Sequence, residues 1–257
     1  MVLAIDIGNS EIVIGGYEND ELRFTCRCGT DRHKTVDEYA LLFKGILALH
    51  NIVPNRIKGG IIASVVPSLR VIVQQAMEFL TQASFLTLAA GRKTGLNIRL
   101  DWPTELGSDL VADAVAAVDR YPKPIIIMDL GTATAVLVVD KRGAYLGGML
   151  NPGLRISLDA LSASADQLPS IMLKQPERLI GRNTEECMQS GAVYGCASML
   201  DGIIDRLEDE LGEPATAVIT GGFAPLIAPY CRRNIVVDEH LLLDGLYIIY
   251  KKNTHRR

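Results

Sequence analysis

Hydrophobic and polar positions along the chain follow two rhythms, and the rhythms change in the same order twice. Residues 2–7 form an apolar run that ends in Asp6-Ile7-Gly8-Asn9. Residues 11–17 form a second run, Glu18-Asn19-Asp20 a turn, and residues 21–28 an alternating third stretch. β-rich runs separated by turn residues predict antiparallel hairpins. Residues 35–50 shift to helical spacing, with Tyr39, Leu42, Phe43, Ile46 and Leu47 on one stripe. Residues 59–67 then predict a buried strand ending in Ser64-Val65-Val66-Pro67, followed by a helix over 69–80.

The sequence restarts this order at residue 124. An apolar strand over 124–130 ends in Asp129-Leu130-Gly131-Thr132. A second strand spans 133–140, Lys141-Arg142-Gly143 makes a turn, and a third strand spans 144–150. Later, residues 215–219 predict a strand ending in Thr220-Gly221-Gly222, with Pro225 in the place Pro67 holds earlier. The repeated order predicts a duplicated α/β architecture: two mixed sheets flanked by helices, halves at 1–118 and 119–257, and a cleft between the halves. The longest helical stretch runs over 184–211. Asn183 or Thr184 can cap it, Asn183 and Glu186 have capping-box spacing, and Gly191 and Gly195 allow close approach on one face.

Composition narrows the class. With 257 residues, 48% hydrophobic and 22% charged, the chain can bury sizeable cores and is neither disordered nor fibrous. A net charge of -4 argues against nucleic-acid binding. The most apolar stretch, 124–139, is cut by Asp129 and falls short of the about 20 residues that a bilayer demands. The N-terminus has no signal-peptide pattern, and the odd count of five cysteines does not suggest a disulfide framework, so the expected location is cytoplasmic. Cys26-Arg27-Cys28 with His33 is short of a closed metal site and reads as alternate positions on one strand. The basic end, residues 251–257, reads as a solvated, frayed terminus.

The chemistry lies in the Asp-x-Gly turns. A strand-end carboxylate can hold Mg²⁺ directly or through water, and a following glycine lets backbone N–H groups approach phosphate oxygens. Two such turns, Asp6-Ile7-Gly8 and Asp129-Leu130-Gly131, favour a phosphotransferase, with the Thr132 and Thr134 hydroxyls beside the second. Neither a Walker-type phosphate loop nor a dinucleotide glycine fingerprint is present. Asp109 opens the helix predicted through 111–118. It suits either an N-cap or a base for a substrate hydroxyl attacking a γ-phosphate.

Ordered blocks along nearly the whole chain resemble the type III pantothenate kinases: DIGNS (6–10), DEYA (37–40), ASVVPSL (63–69), KTGLNIR (93–99), GSD (107–109), DLGTATA (129–135), LGGMLNPG (146–153), IGRNT (180–184), MQSG (188–191) and TGGFAPLIAP (220–229). The resemblance implies the actin-like, ribonuclease H-like duplicated fold, a homodimer, ATP with Mg²⁺, and a monovalent cation, K⁺ or NH₄⁺. It implies phosphorylation of pantothenate to 4′-phosphopantothenate, the first step of coenzyme A biosynthesis. By position, Asp6, Ile7, Gly8, Asn9, Ser10, Glu11, Ile12 and Val13 would form the ATP loop, with Asp6 facing Mg²⁺. Thr132 would contact ATP and Asp129 would hold the monovalent cation. Asp109 would be the base, within a substrate segment of Gly107, Ser108, Asp109 and Leu110. Leu100 would join that substrate side, and Thr184 would bind the pantothenate carboxylate across the dimer.

The chain departs from the family pattern at a few positions. Leu110 stands where the family has Arg, and Leu100 where it has Tyr. Ala135 replaces a Thr and Ser10 another. Three readings follow: a working pantothenate kinase in which Arg155 or Arg99 replaces the missing Arg, a kinase drifted to another hydroxylated acceptor, or a non-catalytic, nucleotide-binding regulatory paralogue.

Overall fold

A computed structural model describes residues 1–89 and 91–254. They pack into two compact α/β units that interleave along the chain. The first comprises Met1–Gly95, Trp102–Ala116 and the chain from Leu241 on; the second comprises Leu96–Asp101 and Ala117–His240.

In the first unit, β1 (Val2–Ile7), β2 (Glu11–Glu18) and β3 (Glu21–Gly29) form the expected antiparallel meander, and β4 (Gly59–Ser64) and β5 (Phe85–Thr87) extend it in parallel. The order is β3-β2-β1-β4-β5. Leu3, Ile5 and Ile7 of β1 meet Ile12 and Ile14 of β2 in one core. Tyr39, Phe43 and Leu47 of α1 (Val36–Leu49) and Leu69, Val73 and Met77 of α2 (Pro67–Thr81) complete it. α1 begins with a capping box in which Thr35 and Glu38 satisfy each other's backbone N–H groups.

The second unit repeats this order. β7 (Ile125–Leu130), β8 (Ala133–Val139) and β9 (Ala144–Pro152) form the meander, and β10 (Thr216–Thr220) and β11 (Ile235–Val237) extend it in parallel. A two-residue strand, β6 (Asn97–Ile98), adds to the outer edge, giving β11-β10-β7-β8-β9-β6. α4 (Leu154–Ser164) follows β9. α5 (Thr184–Leu211) buries Val193, Ala197, Leu200 and Ile204 against Ile126, Met128 and Ile219. α6 (Ala224–Ile227) lines the same core. The duplicated actin-like topology is therefore present in both sheets.

Two helices complete the first unit. α3 (Ser108–Arg120) belongs to it up to Ala116. α7 (Leu241–Thr254), at the opposite end of the chain, packs on β1 and β4. α7 crosses α3 at Gly245, where a Cβ would stand 1.9 Å from the Ala112 carbonyl oxygen, so only glycine permits that approach. The Tyr17 hydroxyl of β2 donates to Asp244 Oδ1 at 2.6 Å in the buried contact.

The basic end corrects an expectation. Lys251 and Lys252 belong to α7 rather than to a frayed tail: Lys251 Nζ donates to Asp20 Oδ1 at 2.7 Å and Lys252 Nζ to the Thr94 carbonyl at 3.0 Å. Residues 255–257 lie outside the described residues. Cys26 and Cys28 occupy alternate positions on β3, packed against the first core, and burial pushes the Cys26 thiol up to about 12. No described helix is long and apolar enough to cross a membrane.

Candidate active site

Strand pairing places the two Asp-x-Gly turns at equivalent points. The first hairpin closes with Ile7 opposite Ile12, leaving residues 8–11 as the turn; the second closes with Leu130 opposite Thr134, leaving residues 131–133. Gly8 N–H donates to the Glu11 carbonyl at 2.9 Å, and Gly131 N–H to the Ala133 carbonyl at 3.0 Å. Asp6 and Asp129, both partly buried, therefore stand at the same position, one residue before the ends of their central strands.

Within the first turn the expected ATP-loop residues divide. Ile7 and Ile12 are wholly buried core side chains, so only their backbone can face a ligand. Asn9, Ser10 and Glu11 are exposed, while Gly8 and Val13 are intermediate. Thr30, just after β3, donates its hydroxyl to the Gly8 carbonyl at 2.7 Å and its N–H to the Ser10 carbonyl at 3.0 Å. The turn is thus held from behind with its apex open.

The segment expected to meet the substrate, residues 107–110, enters the same unit at the start of α3. The Ser108 hydroxyl accepts from Ser64 N–H at 3.2 Å. Because Ser64 pairs with Ile7, α3 starts beside the C-terminal ends of β1 and β4, the end that carries the Asp6 turn. Asp109 Oδ1 is buried and has no hydrogen-bond partner among the described residues. Burial raises its carboxyl above the ordinary 3.8, with backbone N–H groups of Leu110 and Asp109 pulling the other way. A Cβ at Gly107 would stand 2.4 Å from Asp109 Oδ1, so glycine there leaves room for the carboxylate. A buried acceptor kept without a donor can take a proton from a substrate hydroxyl.

The remaining expected residues lie in the second unit. Leu100 sits near Gly147 of β9, apart in the chain's packing units from residues 107–110. Beside Asp129, Gly221 (φ 90°) brings the end of β10 so close that a Cβ would meet Asp129 Oδ1 at 2.5 Å. Thr132 is exposed at the turn. Thr184 is exposed in the first turn of α5. Asn183, not Thr184, is the N-cap, its side-chain oxygen accepting from Glu186 N–H at 2.9 Å. Neither arginine proposed as a replacement for the missing one is unengaged. Arg99 pairs with Asp140 at 3.8 Å, and Arg155 pairs with Asp159 at 3.1 Å.

A family model for type III pantothenate kinase matches residues 2–206. A curated type III pantothenate kinase from Brevibacillus brevis is 44% identical over 253 residues, covering 98% of this chain and 99% of that protein. The chain belongs to the type III pantothenate kinase family. Solved structures agree on the fold alone. A Campylobacter jejuni protein assigned to the Baf family of transcriptional activators gives a TM-score of 0.57 at 18% identity, covering 98% of each chain. A ROK hexokinase from Thermus thermophilus gives 0.50 at 14% identity, again over 98% of each.

The structure also exposes a residue that sequence reading passed over. Arg32 Nη2 donates to Asn9 Oδ1 at 3.1 Å, placing a guanidinium on the first turn. Its sequence signal was slight, a lone arginine in a charged loop.

Proposed function

We propose that the chain transfers the γ-phosphoryl group of ATP to the hydroxyl of pantothenate, giving 4′-phosphopantothenate and ADP. The observation that carries this reading is the buried, donor-free Asp109 Oδ1 at the start of α3, in a chain 44% identical to a pantothenate kinase. Asp109 accepts the hydroxyl proton, the freed oxygen bonds to the γ-phosphorus, and the bond from that phosphorus to the β–γ bridging oxygen breaks with its electron pair leaving on ADP. The raised pKa of Asp109 brings it nearer the pH at which a base works best.

Gly8 and the exposed Asn9, Ser10 and Glu11 bind the nucleotide phosphates, and Thr132 adds a contact. The donor set suits cations. Asp6 is a partly buried strand-end carboxylate whose Oδ2 would lie 4.0 Å from a Cβ at Gly8, so the glycine keeps the space beside it open. At Asp129 it is Gly221 that leaves the carboxylate its room, since a Cβ there would stand 2.5 Å from Oδ1. Asp6 would hold Mg²⁺, directly or through water, and Asp129 a K⁺ or NH₄⁺ ion. When bound, these ions neutralise phosphate charge.

Thr184 binds the pantothenate carboxylate from a second subunit of a homodimer, where the N–H groups of α5's first turn favour an anion. Support for the dimer is the exposed apolar surface before α5, with Met172 at 77% and Ile180 at 81% exposure, and the open space around Gly191 and Gly195. The five free cysteines suit a cytoplasmic location.

ADP release from Mg-ATP, measured with and without pantothenate in an ammonium or potassium salt, tests the reading. Pantothenate-dependent release is expected. Leu110→Arg is expected to lower KM for pantothenate by about tenfold by restoring a charge-assisted bond. Release absent from both proteins, with tight nucleotide binding retained, would favour the regulatory reading.

A further inference from the structure

Segment 30–35, between β3 and α1, is built as a firm backing for the first turn and carries a cation, Arg32, that bonds to it. Tyr39, wholly buried, anchors the segment. Its hydroxyl donates to the Asp31 carbonyl at 2.8 Å and accepts from Asp31 N–H at 3.1 Å. The Asp31 carboxylate in turn accepts from His33 N–H at 2.9 Å and from Lys34 Nζ at 2.7 Å. Thr30 bonds to two carbonyls of the turn, those of Gly8 and Ser10. Three cationic or ionisable side chains, Arg32, His33 and Lys34, then border an open pocket of about 600 Å³ that also meets Thr30 and Cys28.

The three are not equivalent. Lys34 is paired with Asp31, and no shortfall of negative charge remains there. Arg32 has no carboxylate partner among the described residues; its one hydrogen bond goes to the neutral side chain of Asn9. A guanidinium presents five N–H donors in a planar fork matched to phosphate oxygens. Arg32 is exposed and tethered at one of them to Asn9 of a turn whose backbone is already pinned, which lowers the entropy lost on capturing an anion.

We propose that Arg32 is a phosphate-binding residue of the first turn, contacting the terminal phosphate of the bound nucleoside triphosphate. This rests on the kinase reading above. A terminal-phosphate contact distinguishes ATP from ADP, whereas a residue that merely stiffens the turn does not.

The test is calorimetric titration of the full chain and its Arg32→Gln and Arg32→Lys variants with Mg-ATP and with Mg-ADP. Arg32→Gln is expected to weaken ATP by roughly 10- to 100-fold, the range for one lost charge-assisted bond. ADP should weaken by less than about threefold, and Arg32→Lys should recover part of the ATP loss. Equal losses for ATP and ADP, or no loss, would overturn the proposal while leaving the kinase reading intact. A native chain that binds neither nucleotide would overturn both.

Discussion

The two hairpin turns occupy the same place in the same topology, yet they are supported by opposite means. In the first unit Glu11 pairs with Gly29, and the next residue is Thr30; in the second Ala133 pairs with Pro152, and the next is Gly153. Thr30 secures its turn with a side-chain bond to the Gly8 carbonyl. Gly153 secures its turn by proximity: a Cβ there would stand 2.3 Å from the Thr132 carbonyl oxygen and 2.6 Å from that of Gly131. After Gly153 the chain turns straight into α4, whereas after Thr30 it runs through residues 31–35 before α1 begins. That inserted loop brings Arg32 to the first turn. A duplicated sheet fixes where a turn lies; the residues after the third strand decide whether it also receives a charge.

The largest test of this contrast falls on the first unit, where α3 brings Asp109 to the ends of β1 and β4. Asp109→Asn is expected to reduce pantothenate-dependent ADP release by about 10²- to 10⁴-fold, the contribution of a positioned general base. The same variant should melt higher than the native protein at pH 7. Burial raises the folded carboxyl's pKa, so its contribution to stability is complete below the unfolded value and is lost as pH rises through the folded one. At neutral pH the charge is therefore a cost that Asn removes. Scanning calorimetry at falling pH should show the gap closing toward 3.8. A lower melting temperature for Asp109→Asn at pH 7 would contradict the burial argument.

Next in size is Gly153→Ala, expected to cost about 1–3 kcal/mol in chemical denaturation because backbone carbonyls must move aside. Gly29→Ala, whose Cβ would enter open space one residue before Thr30, should stay within about 0.5 kcal/mol. Comparable losses for both would mean that the second turn is no more tightly enclosed than the first. Below Gly153→Ala comes Thr30→Val, expected to cost about 1 kcal/mol through the lost bond to the Gly8 carbonyl. A neutral Thr30→Val would remove the side-chain half of the contrast.

Legibility followed the range of the forces involved. The meander of each unit, the stripe of α1 and the strand β4 could be read because alternation and helical periodicity repeat within a few residues. β5, β11 and β6 could not, because two or three residues are too few to show a period and their pairing depends on sheet edges supplied from elsewhere. The Asp-x-Gly turns and Asp109 were visible as residue types. The burial of Asp109 Oδ1 and the core placement of Ile7 and Ile12 were not.

By itself the sequence determined the duplicated order of strands, the two glycine turns and, through its ordered motifs, the family, since each is carried by residues close together in the chain. Tertiary structure alone decided that α7 returns to the first unit, that Arg32 rests on Asn9, and that Lys251 and Lys252 are fastened rather than frayed. Those outcomes depend on contacts between segments 23 to 231 residues apart, which no local pattern of hydrophobic and polar positions encodes.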